Sequence, residues 1–513
     1  MSAHDYVVVG GGSAGCVVAR RLLDGGATVA LIEAGGQPTN PAIHDPGRWP
    51  ELSFSEVDWA HTTEPQEALH GRELYWPRGK VLGGSGALNG MVYIRGHRLD
   101  YDGWAYHGCP GWGWEDVLPF FRGLEDFDRD ADELHGVGGP LRIMTRYEPH
   151  PMLASMVAAA QEAGVPFNDD HNGPSLDGVG YSQLTIRDGV RETAASAFLA
   201  PVAEHPDLTV YTGARALGLR FDGARCTGVE VDAGVVEAGV ETILSAGTLE
   251  SPKLLMLSGI GPAGELARAG IAPRVDLPGV GRSLHDHYIA PVLFASPRAI
   301  PPVLPGLSQH HAHLFWRSRP GLPVPDTQPL CFHFPMYDRT WMDGPEEAYT
   351  IHGGLIRTLS RGEVRMRSAD PLQPLAMNPR ALTAEGDLDA LAASVELCRE
   401  IGRQEALAEW TDRELYPGPE VRTVAQLRDY VRRVTASYHH QVGTCRMGCD
   451  EEAVVDPELR VHGVDGLRVA DASIMPFVTS GNTNAPTMMI GARCAAFALA
   501  AQGSGAALLE GRL

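Results

Sequence analysis

Three features that the sequence lacks exclude several classes of protein. No run of about eighteen apolar residues occurs in the chain, so no transmembrane helix is expected. Basic residues are few: 42 Lys and Arg stand against 64 Asp and Glu, and the net charge of −22 opposes binding to nucleic acid or to an anionic membrane. The eight cysteines are scattered without paired zinc-ligand spacing, which predicts reduced, mostly buried thiols and no structural zinc.

The length and composition indicate a soluble protein with more than one hydrophobic core. A chain of 513 residues exceeds what one ordinary core supports, so two domains are expected. The apolar share of 44% and the charged share of 21% are typical of globular proteins. Because the first apolar run begins at residue 6, the sequence as given leaves no room for a signal peptide, and we expect a cytoplasmic protein.

A dinucleotide-binding motif stands at the start of the chain. The apolar run at 6–9 predicts a buried strand, and a glycine-rich turn and a helix at 14–23 follow it. A second apolar run at 29–32 ends in Glu33, whose carboxylate can accept hydrogen bonds from ribose hydroxyls. Backbone N–H groups at the turn and the helix start predict a pyrophosphate site. The residues assigned to this site are Gly10, Gly12, Ser13, Ala14, Gly15, Glu33 and Ala34.

Alternating elements along the rest of the chain predict an α/β fold. Apolar periodicity indicates strands at 208–211, 228–231, 241–244 and 467–470, and helices at 152–163, 251–257 and 387–402. The segment 289–375 is rich in proline, aromatics and short alternating runs, which is typical of an antiparallel sheet. We therefore predict a Rossmann-like domain assembled from discontinuous segments, 1–150, 190–288 and 430–513, and a second domain with an antiparallel sheet flanked by helices, 151–189 and 289–429.

Further sequence blocks follow the dinucleotide motif in a fixed order. One reads Pro-Arg-Gly-Lys-Val-Leu-Gly-Gly-Ser at 77–85 and continues through Asn89-Gly90-Met91, and the last reads Gly-Asn-Thr-Asn-Ala-Pro-Thr at 481–487. Between them lie blocks at 247–261, 279–287, 360–371 and 438–448. Together these blocks resemble the glucose–methanol–choline family of FAD-dependent oxidoreductases over essentially the whole chain.

The resemblance implies that FAD is the cofactor. Glycines at 83 and 84 let the backbone approach a flat ring closely, since glycine has no side chain. Some relatives attach FAD covalently through a histidine directly before the signature asparagine, but Leu88 stands there, so we expect dissociable FAD. Asp471 has two interpretations, an acceptor near the flavin ribityl and pyrophosphate groups or a helix cap. The cofactor contacts implied by resemblance are Arg78, Gly83, Gly84, Asn89, Gly90, Met91, Val92, Ala216, Asp471, Ala472 and Ala485.

The resemblance also implies a catalytic pair. His440, three residues before the glycine of a Gly-Thr pair, corresponds to the base that removes the hydroxyl proton of an alcohol while hydride leaves for flavin N5. Asn484 corresponds to the second member, whose amide donates to the substrate oxygen as negative charge develops. His439 is the competing histidine, and we assign it a packing or supporting role. The expected reaction is oxidation of a primary alcohol to an aldehyde, with O2 or another acceptor reoxidising the flavin.

A stretch near 325–335 resembles a strand that faces the flavin in relatives. Alternation places Phe332 and Phe334 on one face and His333 on the other, which predicts an aromatic pocket wall; packing beneath the substrate layer is the equal alternative. The expected pocket residues are Phe332, His333, Phe334 and His439. Small aromatic or heteroaromatic alcohols are slightly favoured over choline or sugars as substrates.

Histidines elsewhere in the second domain raise the question of a metal. His310, His311 and His313 lie close in sequence, but no carboxylate or thiol completes a ligand set locally, so we predict no metal and a solvated or pocket-rim run. His285 and His287 lie in a block near the cofactor and are interpreted as structural.

Other functions remain open from the sequence. The same blocks are compatible with a hydroxynitrile-lyase-like enzyme that retains FAD, with a choline or sugar dehydrogenase, and with an FAD-binding protein without activity, although the intact His440 and Asn484 blocks argue against the last. The partners expected are a small-molecule alcohol and an electron acceptor. The sequence does not decide between oxidase and dehydrogenase, nor does it indicate the oligomeric state.

Overall fold

The computed structural model describes residues 4–503. This part of the chain forms two large seven-stranded sheets, one mainly parallel and one antiparallel. None of its helices is both long enough and apolar enough to cross a membrane. The α-helices are Ser13–Asp24, Pro41–His44, Arg98–Tyr106, Trp114–Leu124, Pro151–Glu162, Gly247–Leu257, Ala263–Arg268, Glu385–Ile401, Val424–Val434 and Asn484–Ala501.

The first sheet is built around the strand His4–Val9, which is buried except at Asp5. Val29–Glu33 pairs with it in parallel on one side and Gly234–Leu244 on the other. Leu208–Thr212 and Leu467–Val469 extend the parallel part at its two edges. Strands from three distant parts of the sequence therefore share one sheet, and the predicted α/β architecture from discontinuous segments is confirmed.

An antiparallel ribbon continues this sheet. Gly234–Leu244 is long enough to pair with the parallel strands near its end and with Arg225–Val231 near its beginning. Ala216–Asp222 completes the ribbon as its outer strand.

The first and last α-helices pack against each other on the parallel sheet. Gly491 makes their close approach possible, because a Cβ atom there would lie 2.6 Å from the carbonyl oxygen of Ala14. Both helices begin at the same end of the sheet, where Ser13 and Asn484 are hydrogen-bonded.

The second sheet is centred on Tyr288–Ala295 and Ala348–Leu355, which pair antiparallel over eight residues each and are buried throughout. Burying each large apolar side chain of such strands contributes about 1.5–3 kcal/mol relative to exposure. The helix Glu385–Ile401 covers one face, and Gly353 permits the contact, since a Cβ atom there would lie 2.9 Å from the backbone nitrogen of Val395. The other strands of this sheet are Gly178–Tyr181, Ala312–Phe315, Leu330–Phe332, Arg413–Tyr416 and Ala436–Ser437.

The strand Ala436–Ser437 lies in the segment that we predicted for the first domain. It pairs instead with Tyr288 and Ile289 of the second sheet. The short strands elsewhere form five pairs: His61–Thr62 with Tyr75–Trp76, Glu125–Phe127 with Leu141–Ile143, Ile186–Arg187 with Val190–Arg191, Ile260–Gly261 with Val275–Asp276, and Glu363–Arg365 with Ala376–Asn378.

Candidate active site

A cleft extends from the carboxyl ends of the parallel strands to the second sheet. Most of the residues predicted from the sequence line it: Gly10, Gly12, Ser13, Ala14, Glu33, Ala34, Arg78, Gly84, Asn89, Gly90, Val92, Ala216, Phe332, His439, His440, Asp471, Ala472 and Asn484. The predicted residues that do not line it are Gly15, Gly83, Met91, His333, Phe334 and Ala485.

The glycine turn presents backbone to this cleft. Gly10 has φ +105°, and a Cβ atom there would lie 2.4 Å from the carbonyl oxygen of Ser245. At Gly12 a Cβ atom would meet nothing closer than Gly84 Cα at 3.8 Å, so that position faces open space. The helix that starts at Ser13 has no side-chain cap, which leaves its first N–H groups available to an anion. Gly15 instead allows tight packing, since a Cβ atom there would lie 1.9 Å from the carbonyl oxygen of Gly10.

Glu33 lies at the end of its strand with its carboxylate buried beside the turn. Its two oxygens accept from the backbone N–H groups of Gly11 at 2.8 Å and Gly35 at 2.7 Å. Burial raises the pKa of Glu33 to about 7, although these two hydrogen bonds act in the opposite direction. The carboxyl group is thus fixed at the second strand, where the motif predicts a ribose contact.

The loop around Asn89 forms the opposite wall. A Cβ atom at Gly84 would lie 2.7 Å from Gly12 Cα. The two backbone segments can therefore approach this closely only because residue 84 is glycine. The side-chain oxygen of Asn89 accepts from the backbone N–H of Met91 at 2.9 Å and from Arg191 Nη1 at 3.0 Å. Arg191, which sequence reasoning missed, is buried and also donates to the backbone carbonyl of Ile43. Arg191 stabilises the Asn89 loop from the side away from the cleft, and it does not line the cleft.

Asp471 lines the cleft and caps a short helix. Its carboxylate accepts from the backbone N–H of Ser473 at 2.8 Å, from that of Gly247 at 2.8 Å and from Ser251 Oγ at 2.6 Å. The two interpretations of Asp471 are therefore compatible: the cap positions a carboxylate at the strand end.

His440 makes four contacts that define its orientation. Its backbone N–H donates to Asp286 at 2.7 Å, and its Nδ1 lies 3.0 Å from Nδ1 of His287. Its Nε2 lies 3.3 Å from the side-chain nitrogen of Asn482. The ring of Tyr438 stacks on the imidazole at a centroid distance of 4.6 Å.

The asparagine beside the imidazole is Asn482, and it differs from the one expected. Asn484 lines the cleft, but its side-chain oxygen accepts from Ser13 Oγ at 2.6 Å. Asn482 contacts His440, and its oxygen accepts from Gln328 Nε2 at 3.1 Å. Both asparagines lie in the same Asn-Thr-Asn triplet, so the sequence identified the correct block. The last helix begins at Asn484, and the side chains of Asn482 and Asn484 therefore point in different directions.

Burial favours the neutral form of the imidazoles in this region. Burial lowers the pKa of His440 well below 6.5, and the nearby His287, His439 and Arg78 lower it further. Burial and Arg78 lower the pKa of His439 to about 3. His439 has φ +67°, and its carbonyl accepts from Arg78 Nη2 at 2.6 Å, so its main role in the structure is to turn the chain before His440.

The part of the cleft on the second-sheet side has apolar and aromatic walls. Phe332 lies in this wall and stacks with His310 at a centroid distance of 5.0 Å. The carboxylates that line the cleft, Glu33, Glu250 and Asp471, all belong to elements of the first sheet and its helices. The residues lining the second-sheet side include Trp49, Leu52, Ile289, His310, Leu330, Phe332, Met336 and Tyr438.

The histidine run is buried, and the prediction of a solvated or rim position is wrong for two of its members. His311 accepts from the backbone N–H of His150 at 3.0 Å, and His313 contacts Ser182 and His171. Their hydrogen-bond partners belong to strands and loops that are neighbours in space but distant in sequence, so the local sequence pattern does not reveal them. Within residues 4–503, no three His, Cys, Asp or Glu side chains are arranged to hold a metal ion.

His333 and Phe334 lie outside the cleft, and the local sequence pattern again does not show why. The strand ends at Phe332, so simple alternation does not continue beyond it. His333 instead stacks on His150 at a centroid distance of 4.3 Å.

The residues present fit FAD. An uncapped helix start, a backbone-only approach between Gly12 and Gly84, and the buried Glu33 carboxyl match the pyrophosphate and ribose of a dinucleotide. The cleft continues past Asn89 to His440, which leaves space for a flavin ring between nucleotide site and imidazole.

Comparisons with known proteins identify the family of this chain. The GMC oxidoreductase family models match residues 4–289 and 358–491. The human mitochondrial choline dehydrogenase is 40% identical over 531 aligned residues, covering 96% of this chain and 89% of that protein. An alcohol dehydrogenase [acceptor] of Pseudomonas putida is 39% identical over 518, covering 95% and 94%. The crystal structure of pyridoxine 4-oxidase from Mesorbium loti superposes with a TM-score of 0.92 at 37% identity, covering 96% and 98%.

The chain belongs to the GMC oxidoreductase family. Within that family it is an FAD-dependent alcohol oxidoreductase, and the expectation drawn from the ordered blocks is confirmed.

Proposed function

We propose that this enzyme oxidises uncharged primary alcohols to aldehydes and favours small aromatic or heteroaromatic ones. One observation carries the proposal: the imidazole of His440 and the amide of Asn482 meet beside a wall that contains aromatic rings and no carboxylate. An alcohol group held at this pair has a base and a hydrogen-bond donor within reach of one oxygen.

The roles of the two side chains follow from their chemistry. His440 is neutral and accepts the hydroxyl proton at Nε2. The Asn482 amide nitrogen donates to the same oxygen as negative charge develops on it, and cannot compete for the proton. FAD, when bound, supplies the acceptor for the hydride that leaves the carbinol carbon. Asn482 thus takes the role that the sequence assigned to Asn484.

The wall offers no carboxylate to a permanently charged substrate. Choline carries a quaternary ammonium group, and a carboxylate beside that group would help to replace its water. On the second-sheet side, the imidazoles of His310 and His439 are held neutral, since burial lowers the pKa of His310 to about 4 and that of His439 to about 3. Burial away from water is the main cause of these lowered pKa values, and it also makes an unpaired foreign cation costly. The similarity to pyridoxine 4-oxidase, named for a heteroaromatic alcohol, supports the same choice.

The test is an anaerobic panel of alcohols. The holoenzyme is mixed with pyridoxine, benzyl alcohol, a short aliphatic alcohol, choline and glucose, and bleaching of the flavin is recorded. We expect the aromatic and heteroaromatic alcohols to bleach it with the highest second-order rate constants. Admission of air with peroxide detection then shows whether O2 or another acceptor reoxidises the flavin.

Two outcomes overturn the proposal. If choline or glucose bleaches the flavin fastest, the substrate class is wrong. If no alcohol bleaches it while a cyanohydrin is cleaved, the enzyme is a lyase that retains FAD.

A further inference from the structure

His287 and His440 face each other through the same ring nitrogen. Their Nδ1 atoms lie 3.0 Å apart, which is hydrogen-bond distance, and their ring planes are perpendicular. A neutral imidazole carries one proton, so a hydrogen bond between two Nδ1 atoms requires that one of them holds the proton and the other a lone pair. The contact therefore couples the tautomers of the two rings.

The surroundings of His287 favour a neutral ring. Its side chain is fully buried, and burial lowers its pKa to about 3. Its Nε2 forms no hydrogen bond at standard distance, so the Nδ1 contact with His440 is the hydrogen bond that orients this ring.

The other ring nitrogen of His440 decides which ring donates. The Asn482 amide oxygen is engaged by Gln328 Nε2 at 3.1 Å, which turns the amide nitrogen toward His440 Nε2. An amide nitrogen can only donate, so Nε2 of His440 is the acceptor and its proton lies on Nδ1. Nδ1 of His287 is then the acceptor of that proton, and the neutral His287 ring carries its own proton on Nε2.

We propose that His287 is the positioning residue that fixes His440 in the Nδ1–H tautomer and so exposes the Nε2 lone pair as the base. The role assigned to Nε2 rests on the proposed function, whereas the proton position does not. When a substrate hydroxyl is deprotonated, its O–H bond breaks and an N–H bond forms at Nε2. His440 becomes an imidazolium whose Nδ1–H already donates to His287, so no ring rotation is needed.

A neutral partner has a different effect from a carboxylate. In a histidine–aspartate pair the carboxylate stabilises the imidazolium and raises the pKa of the base. His287 stabilises the Nδ1–H without adding negative charge, and the base therefore stays neutral over a wide pH range. The other groups that act on the pair are Asp286, which accepts from the backbone of His440, Tyr438, His439, Arg78, and Arg357, whose charge lowers the pKa of His287.

The first test reads the tautomer directly in the unmodified holoenzyme. Histidine is labelled with 15N, and two-bond nitrogen–proton spectra assign each ring nitrogen as protonated or free; a His440→Ala sample identifies the relevant signals. We expect His440 to carry its proton on Nδ1 and His287 on Nε2. The opposite tautomers, or two cationic rings at pH 7, overturn the proposal even if the enzyme oxidises alcohols well.

The second test varies the partner of His440. His287→Asn places an amide oxygen where Nδ1 lay and keeps an acceptor, while His287→Leu removes it. We expect the rate constant of anaerobic flavin reduction to stay within about threefold in the first variant and to fall roughly 10- to 100-fold in the second. Equal rates in both overturn the proposal.

A third variant, His287→Asp, tests the contact between position 287 and Nδ1 of His440. A carboxylate at this position stabilises the imidazolium of His440, so the lower pH limit of flavin reduction should move upward by one unit or more. No movement would show that position 287 does not act on His440 through Nδ1 and would overturn the proposal. If no alcohol reduces the wild-type flavin, the proposed function fails, and the tautomers measured in the first test still decide this inference.

Discussion

The hydroxyl of Ser13 donates to the side-chain oxygen of Asn484 at 2.6 Å and joins the first residues of two helices that lie 471 positions apart in sequence. The bond links the start of the dinucleotide motif to the sequence block at 481–487. Asn484 is thereby committed to the cofactor side of the cleft, and the neighbouring Asn482 is free to face His440.

The two asparagines should give separable defects. Asn482→Ala removes the donor beside the base, and we expect flavin reduction by an aromatic alcohol to slow roughly 10- to 1000-fold. Asn484→Ala breaks the bond to Ser13, so it should weaken retention of FAD and lower the thermal midpoint more than it slows reduction of the loaded enzyme. The two variants are compared by stopped-flow measurement of flavin reduction and by measurement of the rate of FAD release. A larger kinetic defect in Asn484→Ala would return the catalytic role to that residue.

His440→Ala should lower the rate constant of flavin reduction by roughly two to four orders of magnitude, the usual contribution of a positioned base. The matched control is His439→Asn, because asparagine tolerates the positive φ of that position. Anaerobic stopped-flow mixing measures both. Near-normal reduction in the first variant would reject His440 as the base.

The lowered pKa of His440 has a consequence for the pH profile. A base acts in its unprotonated form, so activity falls only as pH drops through its pKa. Because burial lowers that pKa well below 6.5, reduction of the flavin should be nearly independent of pH from about 6.5 to 9. A steep fall between pH 8 and 6 would show that the loaded enzyme raises the pKa back to the ordinary range.

Phe332→Ala should raise KM for aromatic alcohols about tenfold and change KM for a short aliphatic alcohol much less, since the ring lines the cleft. Phe334→Ala serves as the control, because Phe334 contacts Phe332 edge to face at 5.5 Å but lies outside the cleft lining. Steady-state kinetics on both substrates tests this. An equal loss for the two substrates would place Phe332 in general packing.

The flavin should be released when the enzyme is denatured. Leu88 lines the cleft directly before Asn89 and offers no nucleophile for a covalent bond. Precipitation with acid should leave the yellow colour in the supernatant. Colour fixed to the precipitate would show a bond formed elsewhere.

His135 should make the stability of the protein depend on pH. It lies between two carboxylates, 3.0 Å from Asp170 and 3.4 Å from Glu125. Burial acts to lower the pKa of His135, but these two partners outweigh it and raise the pKa above 6.5. The stabilisation is therefore fully present below pH 6.5 and is lost as pH rises through the raised pKa. Urea unfolding at pH 6 and pH 8.5 should show this loss in the wild type and a smaller one in His135→Gln; equal losses contradict it.

Local patterns predicted the strand, glycine turn and helix at the N-terminus, and the structure contains these elements. The strand–glycine–helix–strand–acid order at the N-terminus depends on neighbours in sequence, and the structure places Gly12, Ser13 and Glu33 around one cleft as expected. Long-range packing decided what the sequence missed. The direction of Asn482 depends on where the last helix begins, and the burial of His311 depends on His150, which lies 161 residues away.

Sequence reasoning could identify residues that line the cleft, such as Gly12 and Asn89, but it could not identify the contact between His287 and His440. The two histidines are 153 residues apart, and only the pairing of Ala436–Ser437 with Tyr288–Ala295 brings them together. Subcellular location, domain boundaries and the physiological acceptor stay predictions.

The close fit of Gly491 against Ala14 has a consequence for biosynthesis. The nucleotide half of the protein needs segments that lie far apart in sequence, since the helix Ser13–Asp24 packs on Asn484–Ala501 and the strand Leu467–Val469 completes the parallel sheet. A nascent chain from which residues 467–501 have not yet emerged holds an open half-site, so flavin capture has to wait for that segment. Deletion of residues 467–501 should then produce colourless protein rather than a shorter yellow one.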